Sequence, residues 1–317
     1  MTARQLSLFP DLPPPEEAQG GTAEAPPLTP QSPLWAAMEP FDVYMVRQGF
    51  TENTRKSFLG DLKRLREYVG DARPLGELST EVLNRFLDYL LYRRGRPCRP
   101  KTYARRVTTL KVFFRWLYET GVLPRDPAAP LIQRSVRAPL PRPLTDEEVD
   151  RLLATAREQM AGEEPDPRPY VLAALLLHTG IKKGECVNIR LGDLDLSARE
   201  GPSVLIRYDN PRQQHKERRL ALPASLVPAI HQYLAQYQPQ EFLFPWTARN
   251  LEYVLRDLGR QAGIQGSVSF DRLRWTAALQ DWKRGMDSEH LRRKLGLSKI
   301  AWQEVEEKLQ RLSEPPL

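Results

Sequence analysis

Two proline-rich stretches limit where this chain can form helices, because proline lacks a backbone N–H and breaks helix interiors. Residues 1–33 contain eight prolines and no sustained apolar periodicity. Such a segment cannot bury enough apolar surface to offset the entropy of ordering, so we expect a disordered tail. A second proline-rich stretch falls within residues 136–143, which we interpret as a linker between a domain of residues 34–135 and a domain of residues 144–317.

Apolar residues recur at helical spacing in both predicted domains. The first domain has four such segments, at residues 41–48, 54–69, 80–93 and 101–120. In the second domain, Thr145 and Glu148 have the spacing of a capping box that opens a helix. Further helices are predicted at residues 170–179, 183–190, 224–237, 249–262, 271–284, 288–294 and 298–312.

A small sheet is predicted in the second domain. Strand-like runs at residues 204–208 and 219–222 flank a polar segment, which indicates a β-hairpin. The predicted fold class is therefore mainly α, in two domains, with a small β-sheet in the second.

The charge balance indicates the kind of partner. Of 47 Lys and Arg against 40 Asp and Glu, all but one base and all but four acids lie after residue 33, which leaves a net charge of +10 there. This excess favours a polyanion, nucleic acid before a membrane surface. The sequence has no run of eighteen apolar residues and no secretory leader pattern, so we expect no membrane association and a cytoplasmic, nucleoid-associated protein.

Cysteine and histidine usage indicates neither a disulfide nor a metal centre. Cys98 and Cys186 are far apart in dissimilar segments, and no Cys/His cluster has metal-ligand spacing. We therefore expect ordinary thiols and no cofactor.

The segment between Asp88 and Glu119 contains no acidic residue. On a helical wheel its predicted helix has an apolar stripe and, opposite, a basic face. Basic faces are often merely solvated, but solvated faces usually mix both signs, so the missing acids favour DNA contact. The DNA-binding side chains predicted here are Arg93, Arg94, Lys101, Arg105, Lys111 and Arg115.

Several segments, in order and spacing, resemble the tyrosine recombinases, the phage-integrase and Xer-like family. They are GFTENTRKSFLGDLKRLREYV and PKTYARRVTTLKVFFRWLYETGVLPRDPA in the first domain, and RPLTDEEVDRLL, LLLHTGIKKGECVNIRLGDLDL, HKERRLALP and FDRLRWTAALQDWKRGMDSEHLRRKLGLS in the second. The resemblance covers about residues 38–312. It implies a C-shaped clamp around duplex DNA, made of a helical core-binding domain and a catalytic domain.

In that family a tyrosine attacks a DNA phosphate and forms a covalent 3'-phosphotyrosyl link. Two arginines stabilise charge on the phosphoryl oxygens, while a hairpin lysine and histidines assist proton transfer and positioning. The chemistry requires a nucleophile together with fixed positive charge where negative charge develops.

This sequence departs from the family pattern at most catalytic positions. Lys182 stands at the first arginine position, which keeps the charge but loses the planar two-point grip on phosphate. Asp271 replaces the histidine of the His-x-x-Arg motif, in which Arg274 survives as the second arginine. Leu297 replaces the next histidine, and Glu306 stands where the tyrosine belongs.

No shift of register supplies the nucleophile, because the last tyrosine is Tyr253. The hairpin lysine is ambiguous, since Lys216 fits the later basic position of the family hairpin while the catalytic position falls near Arg212 or Gln213. The resemblance therefore implies a catalytically inactive homologue. Within the old site it leaves Lys182, Lys216 and Arg274 as DNA-binding residues.

Two carboxylates in a phosphate pocket would repel DNA unless they were paired. We expect Asp271 and Glu306 to pair with Lys182 and Arg274 in a structural salt-bridge cluster. A less favoured alternative has the two acids hold a divalent metal for DNA hydrolysis. Glu185 is interpreted as a structural partner rather than a third metal ligand.

The tail contains the pentapeptide Gln5-Leu6-Ser7-Leu8-Phe9, which matches the motif by which bacterial polymerases and repair proteins bind the sliding clamp. Leu8 and Phe9 can fill an apolar pocket while Gln5 bonds its rim, with Leu6 completing the match. The alternative is an incidental apolar patch.

Together these features predict a DNA-binding protein with a recombinase fold and no intact catalytic site, recruited to replication or repair sites through the sliding clamp. The expected partners are double-stranded DNA, the clamp and further copies of this chain on DNA. Two alternatives remain open, namely an active recombinase with a non-standard site and a regulator acting through protein partners.

Overall fold

The computed structural model describes residues 27–95, 98–132 and 139–314, except for the side chain of Arg212. The pentapeptide that matches the sliding-clamp-binding motif, residues 5–9, and most of the predicted tail lie outside these ranges. The chain divides into two compact units, Met1–Ala138 and Pro139–Leu317. None of the helices in the described ranges combines the length and apolar character that a bilayer span requires.

The first unit contains the four helices predicted for it. They are α1 Met38–Arg47, α2 Glu52–Val69, α3 Thr80–Asp88 and α4 Pro100–Glu119. Thr51 and Ser79 cap α2 and α3 by accepting hydrogen bonds from the backbone N–H three residues on. The helix predicted at residues 80–93 is α-helical only to Asp88, after which Tyr89–Arg93 forms a π-helical turn.

The core of this unit is aromatic. Phe41 of α1 packs edge-on against Phe113 of α4, with ring centroids 5.1 Å apart, and Trp116 contacts both rings. The predicted apolar stripe of α4 is buried in this core, as Tyr103, Val107, Leu110, Phe114 and Leu117.

The second unit is mainly helical with one small sheet, as predicted. Its helices are α5 Asp146–Ala161, α6 Arg168–Thr179, α7 Lys183–Val187, α8 Val227–Tyr237, α9 Ala248–Gln261, α10 Phe270–Lys283, α11 Ser288–Lys294 and α12 Lys299–Ser313. The capping box predicted at the start of α5 is present, since Thr145 Oγ1 accepts from the Glu148 N–H and Glu148 Oε2 accepts from the Thr145 N–H.

Helix α6 is the centre of this unit. It is buried over most of its circumference and packs against α5, α8, α9 and α10. It ends at Gly180, whose left-handed backbone (φ 61°) turns the chain toward Lys182. A β-carbon on Gly180 would lie 2.9 Å from Leu295 Cδ2, so close packing also favours glycine here.

The sheet has the strand order β1 Leu194–Asp195, β2 Ser203–Ile206 and β3 Arg218–Ala221, all antiparallel. Strands β2 and β3 form the predicted hairpin, with Val204 opposite Leu220. The helix predicted at residues 183–190 is wrong in its last turn. It ends at Val187 because Ile189 O accepts from the Leu243 N–H and the Leu191 N–H donates to Glu241 O.

Candidate functional site

Four consecutive backbone carbonyls at the end of α11 and just beyond it, those of residues 294–297, accept hydrogen bonds from four cationic side chains. We call this segment the 294–297 turn. The donors and acceptors are Arg218 Nε to Lys294 O (2.6 Å), Arg274 Nη2 to Leu295 O (2.7 Å), Lys182 Nζ to Gly296 O (3.0 Å) and Arg292 Nη1 to Leu297 O (2.5 Å).

The end of α11 accounts for part of this concentration of positive charge. The last carbonyls of a helix have no partner within it and carry partial negative charge, which cations satisfy. Gly296 adopts a left-handed backbone (φ 60°), and a β-carbon there would lie 2.8 Å from Arg218 Nη1. Both the backbone conformation and the adjacent guanidinium therefore favour glycine at this position.

Glu185 joins these cations from the first turn of α7. Its carboxylate is buried and accepts from Arg218 Nη2 at 3.0 Å and Nη1 at 3.3 Å. It also accepts from the Tyr208 hydroxyl and, at 2.8 Å, from the backbone N–H of Lys182. Lys182 Nζ lies 3.7 Å from Glu185 Oε1. One buried anion thus holds α7, the hairpin and, through Arg218, the 294–297 turn.

Burial and hydrogen bonding act in opposite directions on Glu185. Burial disfavours the ionised carboxylate, but the hydrogen bonds and charge of Arg218, with the bonds from Tyr208 and the Lys182 N–H, hold the pKa of Glu185 below its ordinary value. Burial, then the bond to Glu185, raise the pKa of Tyr208 to about 12. The Tyr208 phenol is therefore protonated at neutral pH.

Lys182 and Arg274 are also partly withdrawn from water. Burial lowers the pKa of Lys182, against the attraction of Glu185 and together with the nearby charges of Arg274, Lys216 and Arg218. Burial likewise lowers the pKa of Arg274 to about 10. Arg274 additionally donates to the carbonyl oxygen of Gly180, so its guanidinium joins the end of α6 to the 294–297 turn.

An open cleft of about 1110 Å³ adjoins this cluster within the second unit. Lys182, Glu185, Tyr208 and Lys216 line one part of it, and Arg207 lines another, where it bonds Asp193 at 2.6 Å. The residues that line it are mostly polar or charged, with both signs of charge and amide side chains between the ions.

The predicted pairing of Asp271 and Glu306 with Lys182 and Arg274 is wrong. Asp271 is exposed and forms no salt bridge with any residue in the described ranges, although its charge acts to raise the pKa of Arg274. Glu306 Oε1 instead accepts from Ser288 Oγ at 2.6 Å, and that hydroxyl accepts from Trp302 Nε1. A salt-bridge cluster does form, but Glu185 supplies its carboxylate.

Leu297, the remaining position at which the resemblance implies a catalytic residue, is half-buried against the small apolar cluster formed by α10, α11 and α12. Within the part of the chain that the structure describes, no group of three or more His, Cys, Asp or Glu side chains could hold a metal ion.

The basic segment of the first unit is partly neutralised by an acid from another helix. Buried Asp61 of α2 accepts from Arg105 Nη2 at 2.8 Å, from Arg106 Nε at 3.3 Å and from Thr109 Oγ1 at 3.2 Å. Arg106 is only 5% exposed, so its charge pairs with Asp61 inside the unit and is not available to a ligand. Sequence reasoning missed Asp61 because it lies 44 residues before Arg105 in the chain.

The six predicted DNA-binding residues of this segment are not equivalent. Arg93, Arg94 and Lys101 are exposed and form no ion pair with any described residue, whereas Arg115 lies 3.9 Å from Glu119 and Arg105 is bonded to Asp61. Lys111 is half-buried. The cations available to a ligand therefore concentrate where the π-helical turn leads into α4.

Arg218 is the important residue that sequence reasoning missed. It lies on the same face of β3 as buried Leu220, because alternate strand residues point the same way. That alternation was the available signal for an arginine directed inward. Tyr208 was missed for a different reason. The resemblance places the nucleophile after α10, so a tyrosine earlier in the chain gave no signal.

Two family models match this chain. The model described as "Phage integrase family" matches residues 142–303, and "Phage integrase, N-terminal SAM-like domain" matches residues 39–121. Tyrosine recombinase XerC of Mycobacterium tuberculosis (strain ATCC 25177 / H37Ra) is 30% identical over 206 residues, which cover 63% of this chain and 65% of the relative. Tyrosine recombinase XerD of Listeria innocua is 22% identical over 278 residues, covering 82% and 89%.

Solved structures share the fold. A lambda integrase dimer bound to a COC' core site superimposes with a TM-score of 0.69 at 14% identity, covering 90% of this chain and 80% of that one. XerH bound to palindromic difH substrate gives a TM-score of 0.65 at 17% identity, covering 81% and 77%. At these identities the likeness concerns the fold alone.

The buried ion pair generates a pH-dependent prediction. Glu185→Gln removes the charge facing Arg218, whose side chain is 10% exposed, and should lower the free energy of unfolding at pH 7 by about 3 kcal/mol. Because folding lowers the pKa of Glu185, its contribution is fully present above its ordinary value of 4.5 and is lost as pH falls through the folded value. Urea unfolding at several pH values measures this.

The control for that series is Glu241→Gln, which breaks the exposed pair with Arg190 and should cost less than about 1 kcal/mol. The difference between wild type and Glu185→Gln should shrink below pH 4.5. An equally small loss for both variants at every pH would contradict the structural role assigned to Glu185.

Proposed function

This chain belongs to the phage integrase family, and we propose that it is a member that binds double-stranded DNA without cutting it. The observation that supports the absence of cleavage is the residue at the position expected for the nucleophile. Glu306 stands there, its carboxylate bonds Ser288, and residues 254–317 contain no tyrosine. A carboxylate cannot form the phosphotyrosyl link on which the family's chemistry depends.

DNA binding is supported by family membership and by charge. The sequence after residue 33 carries a net charge of +10, and Arg93, Arg94 and Lys101 are exposed cations of the first unit. Lambda integrase and XerH have been solved with DNA. We assign the first unit as the core-binding domain and the second as a catalytic-like domain that retains the fold.

The arrangement around the 294–297 turn supports the loss of cleavage. Lys182, Arg218 and Arg274 each donate to a backbone carbonyl of that turn, which leaves fewer N–H groups to face a phosphate. Transition-state stabilisation requires donors directed at the position where charge develops. Here much of that hydrogen-bonding capacity holds α11 in place, and Glu185 neutralises part of the charge.

One observation favours the second candidate, an active recombinase with a non-standard site. Tyr208 presents a phenol to the cleft, bonded to the Glu185 carboxylate and close to the cations of the cluster. A phenol beside a carboxylate acceptor and fixed positive charge has the parts of an activated nucleophile. Its pKa of about 12 and its protonated state at neutral pH make it the weaker candidate.

Recruitment and assembly complete the proposal. Lambda integrase has been solved as a dimer and as a tetramer on DNA, and we extend assembly of several copies on DNA to this chain. The pentapeptide at residues 5–9 lies outside the described residues, and we propose that it binds the bacterial sliding clamp. A protein-binding regulator would use the same tail without needing the cations of the first unit.

The first prediction from the proposed function concerns DNA affinity. The triple change Arg93→Ala, Arg94→Ala and Lys101→Ala should weaken binding to duplex DNA across sequences. It should also reduce the slope of log affinity against log salt by about 2.7, since each phosphate contact contributes about 0.9. Fluorescence anisotropy at several salt concentrations measures both quantities.

Its control removes three cations of the same unit that already have acidic partners, namely Lys56, Arg66 and Arg85. Both triples change the net charge equally, so a difference between them reports where the cations lie and not the overall charge. Because its cations already have acidic partners, the control should alter the slope much less. Equal effects would place the DNA surface elsewhere or reduce it to overall charge.

The second prediction is that no covalent protein–DNA adduct forms. A pool of nicked duplexes of randomised sequence, which trap a cleaved strand, should give no labelled protein band on a denaturing gel. Glu306→Tyr alone should not restore one, because catalytic groups act as a unit and the first-arginine and histidine positions also differ. An adduct formed by the wild type and lost in Tyr208→Phe would instead establish the second candidate.

The third prediction concerns the tail. A peptide of residues 1–26 should bind purified bacterial sliding clamp with a dissociation constant near 1 μM, about 8 kcal/mol, as a short motif burying little surface does. Leu8→Ala with Phe9→Ala should abolish the heat of binding in calorimetry, whereas the control Asp11→Ala with Leu12→Ala should not. No heat from the wild-type peptide would make the motif incidental.

A further inference from the structure

Tyr92 is the most exposed aromatic side chain in the described ranges, at 71%. Its side chain forms no hydrogen bond or ring contact with another described residue. Two other exposed tyrosines differ, because Tyr68 contacts Phe86 and Tyr89, while the ring of Tyr253 lies beneath two arginines. An aromatic side chain left mostly to water forgoes much of the burial that such side chains usually gain.

The backbone beneath Tyr92 is unusual as well. Helix α3 keeps Leu83, Phe86 and Leu87 buried and then continues as the π-helical turn Tyr89–Arg93, in which Leu90 remains in the core. Such turns are rare and occur frequently at functional sites. This one anchors Leu90 inside while Tyr92, Arg93, Arg94 and Gly95 face solvent.

The neighbours of Tyr92 define the chemistry of a ligand. Arg93 and Arg94 follow it directly, both exposed and without an ion pair among the described residues, and Lys101 begins the basic helix beyond. An aromatic side chain next to unpaired cations in the chain is a combination that binds nucleic acid through base stacking and phosphate contact together.

Stacking requires a base whose face is accessible. In a continuous duplex the base faces are covered by neighbouring pairs, so a tyrosine beside the backbone can reach only sugar and phosphate. At a gap, a bulge or a strand end, an unpaired base can turn outward and stack on a ring. We therefore propose that Tyr92 stacks on an unpaired base, and that this chain prefers DNA with a local discontinuity over continuous duplex.

This proposal rests on the proposed function, because it names the DNA structure that the basic surface recognises. The test compares three duplexes of one sequence: continuous, with one unpaired adenine, and with an abasic site in place of that adenine. The wild type should bind the unpaired adenine at least about fivefold more tightly than the abasic site, the lower end expected for one base stack.

Protein variants assign the preference to the ring. Tyr92→Ala should remove it while changing affinity for continuous duplex less than about twofold, since the phosphate contacts remain. Tyr92→Phe should retain it, because stacking needs the ring and not the hydroxyl. The matched control is Tyr118→Ala at the far end of α4, where the side chain is also exposed, and it should retain the preference.

A direct signature comes from 2-aminopurine at the unpaired position, whose fluorescence should be quenched by the wild type and not by Tyr92→Ala. A wild type that binds duplex but does not discriminate the unpaired base from the abasic site would overturn the stacking proposal and leave the proposed function intact. Retention of the preference in Tyr92→Ala would also overturn it. No binding to any of the three duplexes would overturn the proposed function itself.

Discussion

The buried carboxylate of Glu185 is the point on which the second unit depends. An ionised carboxylate is stable away from water only when its lone pairs and its charge are both satisfied. Arg218 supplies charge and two donors, and Tyr208 and the Lys182 backbone supply the rest. Because Arg218 also bonds Lys294, the same anion fixes the hairpin, the start of α7 and the end of α11.

This dependence bears on the proposal that the chain keeps the family fold without the family's chemistry. A site that binds a phosphodiester needs cations with unsatisfied donors in a fixed geometry. In this chain Lys182 and Arg274 share the 294–297 turn with Arg218, so their charges help to hold the fold together. The carboxylate of Glu306 likewise joins α12 to α11 through Ser288. DNA affinity can persist under these conditions because phosphate contacts elsewhere need only exposed charge.

Local sequence patterns predicted most of the fold, because helix periods, caps and proline breaks are local signals. The capping box at Thr145 and the buried stripe of α4 are examples. Interactions between distant segments were not predictable in this way. Asp61 neutralises part of the α4 cations from another helix, and Glu185 takes the place expected for Asp271 and Glu306. A partner can be recognised from sequence only when it lies a short, fixed number of residues away, as in a capping box. The partners of Asp61 and Glu185 are set by tertiary packing instead.

A structure of this chain bound to duplex DNA tests the central claim most directly, since that claim concerns which groups the cations of the second unit hold. We expect both DNA strands to be continuous, Arg218 and Arg274 to remain bonded to the 294–297 turn, and phosphates to contact Arg93, Arg94 and Lys101. A phosphate held by Lys182 and Arg274 with a covalent bond to Tyr208 would contradict it.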